Sequence, residues 1–130
     1  MSEELDRKYF AHGQQPGSLE LAFVGDSVYD LHIRRALVKK GGKVNALNRL
    51  AVQKVKASAQ AQSLGRIYDT LSEDEKLIVR RAHNAKQTPT KSASLEDYTK
   101  ATALEALIGY LYLTEQTERL NEILKLASEM

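Results

Sequence analysis

Two acidic residues stand out because each lies in the middle of a largely apolar stretch. Asp26 belongs to the segment LELAFVGDSVYD, residues 19–30, and directly follows a glycine. Glu105 is the single charged residue of ATALEALIGYLYL, residues 101–113, which also contains a glycine. A carboxylate packed among apolar side chains costs free energy unless something pairs with it. The partner is either a basic side chain in a structural ion pair or a divalent cation held between two helices.

A pair of acids is sufficient for magnesium chemistry. Mg²⁺ keeps several of its waters in proteins and takes only one or two carboxylates, together with oxygens of the substrate phosphates. The bound ion lowers the pKa of a water molecule and neutralises charge on a phosphodiester during in-line attack. Asp26 and Glu105 therefore predict a metal-dependent phosphodiesterase, although on spacing alone a structural ion pair is the simpler interpretation.

The distribution of charge favours a polyanionic partner. The chain has 19 Lys and Arg against 17 Asp and Glu, with a formal net charge of +2. Fourteen of those 19 cations lie in two blocks without a single acid, residues 31–68 and residues 76–95. A surface that is merely solvated usually mixes both signs of charge. Such segregation indicates nucleic acid, and it moves the balance towards the metal-site interpretation of the two acids.

The pattern of the remaining sequence predicts an all-α fold in a single domain of 130 residues. Helices are expected at residues 3–10, 19–40, 72–85 and 117–130, and a further helix, capped by either Ser94 or Asp97, is expected to carry Glu105 and to continue to about residue 115. Residues 44–71 form either one long helix or two that join near residues 63–65. Ser18 is expected to cap the second helix, which Gly41 and Gly42 end.

Within the helix at residues 19–40, the acids share a face with apolar residues. Leu19, Phe23, Asp26, Asp30 and Ile33 are spaced by threes and fours, which aligns them along one side of a helix. This spacing predicts that Asp26 points towards the core. Residues 87–94 are expected to form a loop.

Several classes of protein are excluded by composition. The chain has no cysteine, so it forms no disulfide, thiolate metal site or cysteine nucleophile. No window approaches the length of apolar sequence needed to cross a membrane. The first ten residues, MSEELDRKYF, lack the features of a secretory signal. A cytoplasmic protein is expected.

The sequence FVGDS around Asp26, followed some eighty residues later by LEALIGYLYL around Glu105, resembles the catalytic domain of the ribonuclease III family. Within that family it is most similar to the small bacterial form that consists of the catalytic domain alone, Mini-ribonuclease III. The resemblance covers nearly the whole chain. It implies an all-helical symmetric homodimer with the Asp26 helix at the interface, and Mg²⁺-dependent cleavage of double-stranded RNA in the maturation of 23S ribosomal RNA. It assigns the catalytic and metal-binding acids to Asp26 and Glu105.

The chain departs from the larger members of this family at two positions. They carry a Glu where this chain has Ala22, and an Asp where it has Thr102. This chain therefore has two fewer carboxylates in its acidic cluster than the larger members of the family have. Asp30 either contributes to the cluster or pairs with Arg34, four residues later on the same helix.

The family's larger members also have a separate domain for double-stranded RNA, which this chain is expected to lack. RNA binding is then expected to depend on the catalytic domain itself, with a ribosomal protein as a further possible partner. Double-stranded RNA is recognised mostly through its shape, its phosphates and its 2′-hydroxyls. The predicted RNA contacts are Lys54, Lys56, Ser58, Gln60, Arg80, Arg81, His83, Asn84 and Lys86.

Two other functions remain open from the sequence. A non-catalytic helical RNA-binding module, such as a ribosome assembly factor, explains the basic blocks but makes both acids incidental. A helical protein-interaction module explains neither the acids nor the segregated charge.

Overall fold

The computed structural model describes residues 2–85 and 94–129, which contain seven α-helices, two short 3₁₀ turns and no strand. The predicted all-α fold is confirmed. The helices are α1 (Ser2–Tyr9), α2 (Ser18–Lys40), α3 (Val44–Val55), α4 (Ala57–Ile67), α5 (Glu73–His83), α6 (Leu95–Leu113) and α7 (Thr117–Ser128). The 3₁₀ turns are Ala11–Gly13 and Tyr68–Thr70.

Helix α6 forms the centre of the fold. Between Ala101 and Leu111 every residue except Glu105 is buried. A helix that is apolar on all sides is stable in water only if other elements surround it. Helices α2, α4, α5 and α7 all pack against α6, and α2 does so most extensively. Glu105 is consequently carried by the most enclosed helix of the protein.

Helix α2 buries a different face from the one that its sequence predicted. Its core stripe recurs every four residues, at Leu21, Gly25, Tyr29, Ile33 and Leu37. Of the five residues expected on one face, Ile33 alone belongs to this stripe. The others lie on the outer side, where the side chain of Phe23 is 81% exposed and that of Leu19 is 48% exposed. The prediction that Asp26 points into the core was wrong, because both sides of α2 are apolar and spacing alone cannot distinguish them.

The segment at residues 44–71 contains two helices, and their junction differs from the predicted one. The chain is extended at Lys56, with φ −63° and ψ 155°, so α3 ends at Val55 and α4 begins at Ala57. Gly65 lies inside α4 and causes no break. The side chain of Gln60 donates from Nε2 to the Val55 carbonyl oxygen at 2.8 Å. This bond satisfies a carbonyl that the break would otherwise leave without a partner.

The helix ends follow the expected capping chemistry in most places. Gly41 ends α2 with φ 95°, a conformation that favours glycine. Ser72 and Glu75 form a reciprocal capping box at the start of α5. Ser94 caps α6 by accepting from the Asp97 amide at 3.1 Å. At α2 the cap is Gly17, and the predicted cap Ser18 is already helical.

Polar contacts at both ends of α7 fix it against the remainder of the fold. Arg119 donates to both carboxylate oxygens of Glu75 on α5, at 2.8 and 2.9 Å. At the opposite end, Ser63 and Arg66 of α4 donate to the carbonyl oxygen of Ala127. No helix within residues 2–85 and 94–129 is both long and apolar enough to cross a membrane. The predicted loop at residues 87–94 lies outside the described residues, apart from Ser94.

Candidate active site

Helices α2 and α6 cross with their backbones in contact, and two glycines permit this. A Cβ atom built on Gly25 would lie 1.7 Å from the carbonyl oxygen of Glu105. One built on Gly109 would lie 1.9 Å from the carbonyl oxygen of Leu21. Real Cβ atoms do not approach oxygen so closely, so no other residue fits at either position without moving a helix. The residue after Gly25 is Asp26, and the crossing therefore sets Asp26 beside Glu105.

The side chains of Asp26 and Glu105 meet within hydrogen-bonding reach at this crossing. Asp26 is exposed to solvent, and Glu105 is half-buried. Burial, reinforced by the neighbouring Asp26 carboxylate, raises the pKa of Glu105 to about 8, while a hydrogen bond from Gln60 acts in the opposite direction. The predicted meeting of two helices, each carrying one acid, is thus observed.

The donor atoms at this site suit a hard divalent cation. Among residues 2–85 and 94–129, neither Asp26 nor Glu105 forms an ion pair with a basic side chain. Without a cation, burial and the neighbouring Asp26 favour the protonated form of Glu105, and a divalent ion would favour the charged form of both acids. The described part of the chain has no group of three or more His, Asp or Glu arranged around a metal position. A site with two carboxylates fits Mg²⁺, which fills its remaining positions with water and phosphate oxygens.

Three neighbouring positions do not add a carboxylate to the pair of Asp26 and Glu105. Ala22 and Thr102 are both buried, and the Thr102 hydroxyl donates to the Tyr98 carbonyl oxygen at 3.0 Å. Asp30 accepts from Arg34 Nε at 2.9 Å. Asp30 thus pairs with Arg34 on its own helix, and within residues 2–85 and 94–129 it makes no hydrogen bond or ion pair with Asp26 or Glu105.

Gln60 has a different location from the one expected of an RNA contact. Its side chain is only 2% exposed, and Nε2 lies 3.3 Å from Glu105 Oε2. Its Oε1 is the one buried side-chain polar atom in the described part of the chain that has no hydrogen-bond partner. The sequence ASAQAQ indicated small residues and amides, but nothing in it showed that this particular amide reaches Glu105.

The other predicted contacts on α3 and α4 differ in accessibility. Lys54 is half-buried, and its Nζ donates to the Ser128 carbonyl oxygen at 3.2 Å. Lys54 thus interacts with the last turn of α7. Lys56 is exposed at the junction of the two helices, with Nζ 2.9 Å from Gln53 Oε1, and Ser58 is half-buried.

The predicted contacts at the end of α5 form an exposed basic surface. Arg80, Arg81, His83 and Asn84 are all exposed, and three of them (Arg80, His83 and Asn84) line an open concavity together with Lys100 of α6. Lys86 lies outside the described residues. Lys100 was not among the predicted contacts, because its neighbours in the sequence are acidic or neutral. It precedes Glu105 on α6 by five residues, about 7.5 Å along the helix axis and about 140° around it, so the two side chains leave different faces of α6.

Comparisons with known proteins agree on one family. The Ribonuclease III domain model matches residues 19–116, a range that includes both acids. The Mini-ribonuclease 3 of Thermoanaerobacter sp. (strain X514) is 51% identical over 114 residues, covering 86% of this chain and 80% of that protein. The Mini-ribonuclease 3 of Clostridium tetani is 41% identical over 130 residues, covering 92% of this chain and 86% of that protein.

A solved structure supports the same relationship. The crystal structure of a Fusobacterium nucleatum protein superposes with a TM-score of 0.80 at 36% sequence identity. The match covers 86% of this chain and 91% of that protein.

Proposed function

Because the chain belongs to the ribonuclease III family, we propose that it is a Mg²⁺-dependent endoribonuclease that cleaves double-stranded RNA and leaves 5′-phosphate ends. Residues 1–130 would act as one catalytic domain. The observation that carries the proposal is the contact between the carboxyl groups of Asp26 and Glu105, which have no cationic partner among the described residues.

Asp26 and Glu105 differ in their access to solvent, and both would be metal ligands. Asp26 is exposed and would be accessible to the RNA, whereas Glu105 is half-buried on α6. Together they would hold Mg²⁺, which when bound supplies an activated water and neutralises charge on the scissile phosphodiester. The backbone contact between Gly25 and Glu105 holds the two helices that carry these carboxylates close together. No side-chain nucleophile is needed.

The basic surface at the end of α5 would hold the RNA backbone. Arg80, Arg81 and Lys100 bring positive charge to phosphates, while His83 and Asn84 offer hydrogen bonds to phosphates or 2′-hydroxyls. Binding of this kind recognises the shape of a duplex more than its sequence. Lys56 would extend the contact, since it is exposed at the junction between α3 and α4.

A symmetric homodimer would place one site on each strand. What supports it is the outer face of α2, where the apolar side chains of Leu19 and Phe23 are exposed close to Asp26. A contiguous exposed apolar patch is typical of protein interfaces, and Leu19 and Phe23 are four residues apart on one face of α2. A two-fold axis through such an interface pairs the same surface of both copies, and it relates the two active sites as the antiparallel strands of a duplex are related.

The proposed substrate is a double-stranded segment of precursor 23S ribosomal RNA, which places the enzyme in the cytoplasm. What supports this assignment is the resemblance to Mini-ribonuclease III, a name that two of the relatives carry. A ribosomal protein that shapes the duplex is a proposed partner.

The substrate class is tested with one labelled RNA sequence in three forms, single-stranded, paired with complementary RNA, and paired with complementary DNA. The proposal expects Mg²⁺-dependent cuts in the RNA duplex alone, with 5′-phosphates at the new ends. Equal cleavage of the single strand would contradict duplex specificity. Tight binding without cleavage, also on a 23S precursor with its ribosomal proteins, would favour a non-catalytic RNA-binding module.

A further inference from the structure

Gln60 makes an unusual set of contacts for a buried side chain. Its Nε2 donates to the Val55 carbonyl oxygen at 2.8 Å and lies 3.3 Å from Glu105 Oε2, while its Oε1 has no partner. Three elements therefore converge on one amide: the end of α3, the start of α4 and the acidic residue of α6.

This arrangement costs free energy that an apolar residue would avoid. A buried acceptor without a hydrogen bond destabilises a protein, because it loses its hydrogen bonds to water on folding and gains none. A leucine or methionine of similar volume would fill the same space without leaving Oε1 unpaired. The compensating benefit must come from Nε2, which holds the orphaned carbonyl at the helix break and one oxygen of Glu105.

We propose that Gln60 is a positioning residue for the metal site, which fixes the Glu105 carboxylate so that its other oxygen, together with Asp26, faces the cation. This inference rests on the proposed function. Side chains that orient metal ligands through hydrogen bonds contribute to affinity without touching the ion, and their loss costs about 10–100-fold in affinity or activity. Apart from Asp26, Gln60 is the side chain within residues 2–85 and 94–129 that hydrogen-bonds Glu105, so it is the neutral donor that can orient this carboxylate.

The purely structural alternative is that Gln60 serves only the helix break. In that case its loss lowers the melting temperature and leaves the metal affinity of the folded protein unchanged. The two roles are separable because metal binding can be measured well below the melting temperature.

The experiment titrates Mn²⁺ alone into RNA-free protein, follows free Mn²⁺ by electron paramagnetic resonance, and compares wild type with Gln60→Met, Ser63→Ala and Asp26→Asn. Ser63 is the matched control, since it is a buried polar residue on the same helix whose hydroxyl donates to the Ala127 carbonyl oxygen, away from the acids. Gln60→Met is expected to weaken Mn²⁺ binding about tenfold. Ser63→Ala is expected to lower the melting temperature without changing the affinity. In cleavage assays, raising Mg²⁺ should restore the rate of Gln60→Met.

Wild-type affinity in a folded Gln60→Met would overturn the positioning role and leave the proposed function intact. Failure of wild type to bind more Mn²⁺ than Asp26→Asn would overturn the metal site itself, and this inference with it. If Gln60→Met does not fold, Gln60→Asn replaces it, because its side chain is one methylene shorter and withdraws the amide from Glu105. Wild-type affinity in Gln60→Asn would overturn the proposal equally.

Discussion

Gly25 lies so close to Glu105 that a Cβ atom on the glycine would be 1.7 Å from the glutamate's carbonyl oxygen. The candidate acids are therefore not brought together by flexible side chains reaching across a gap. They sit on two helices whose backbones touch, and the spacing of the helices determines the spacing of the carboxylates.

Substitution of Gly25 tests this relationship. Gly25→Ala forces α2 away from α6, so we expect a loss of about 3 kcal/mol in the free energy of unfolding, at the upper end of overpacking effects. The shift also separates Asp26 from Glu105 and should reduce Mg²⁺-dependent cleavage in the molecules that remain folded. Urea denaturation and a cleavage assay measure the two effects.

The matched control is Gly65→Ala. Gly65 lies inside α4 with nothing within 4 Å of the position of an added Cβ. Alanine there should stabilise the protein by about 0.5–1 kcal/mol, because it favours the helix. If Gly25→Ala is as stable as Gly65→Ala, a Cβ atom fits between α2 and α6, and the close contact of their backbones is contradicted.

The sequence was sufficient to predict the all-α fold, most helix ends and the meeting of the two acids. It did not predict which side of α2 is buried, because Leu19 and Phe23 make the outer side as apolar as the inner one. The break at Lys56 was also missed, since no glycine or proline marks it. That break depends on the Gln60 side chain replacing a backbone hydrogen bond, which is a tertiary interaction and leaves no local pattern.

The raised pKa of Glu105 predicts how stability depends on pH without metal. In the unfolded chain Glu105 titrates near 4.5, and in the folded protein near 8. The folded state therefore holds a proton that the unfolded state has released, and this contribution to stability is lost as pH rises from about 4.5 to about 8. In EDTA, the melting temperature of wild type should fall relative to that of Glu105→Gln across this range. Parallel curves for the two proteins would contradict the raised pKa.

The ion pair between Glu75 and Arg119 predicts a stability effect far from the acids. Burial alone would raise the pKa of Glu75, but hydrogen bonds from Arg119 and from the Ser72 amide lower it below its usual value. The ionised Glu75 therefore contributes to the free energy of unfolding at neutral pH, and this contribution is lost as pH falls below about 4.5. Glu75→Gln should cost about 1–3 kcal/mol at pH 7. Glutamine can still form the capping box with Ser72, so the loss reports on Arg119.

Glu96→Gln is the control for this ion pair. Glu96 also forms an ion pair, with Lys100 at 2.9 Å, but its side chain is 73% exposed. We expect no measurable change in chemical denaturation at pH 7, because ion pairs in water contribute little. If the loss of unfolding free energy in Glu75→Gln stays the same below pH 4.5, the lowered pKa of Glu75 is contradicted.

The exposed side chain of Phe23 predicts the behaviour of the proposed dimer. Phe23→Glu should convert a dimer to a monomer in sedimentation velocity, since a charge would be buried in the interface. It should also abolish paired cuts on opposite strands of a duplex. Val44→Glu is the control, because Val44 is 69% exposed at the start of α3, beyond the far end of α2. Identical sedimentation of Phe23→Glu and wild type as dimers would exclude this face as the interface.

The most direct test of the central claim is cleavage of a long RNA duplex, with Mg²⁺ or with EDTA, by wild type, Asp26→Asn, Glu105→Gln and Asp30→Asn. Wild type and Asp30→Asn should cut with Mg²⁺ and not with EDTA, because Asp30 is already paired with Arg34. Asp26→Asn and Glu105→Gln should lose more than about a hundredfold in rate, since even a partner one step removed from a metal contributes 10–100-fold. Both should still bind the duplex and melt cooperatively. Wild-type cleavage by a folded Asp26→Asn or Glu105→Gln would contradict the assignment of this acidic pair as the metal site.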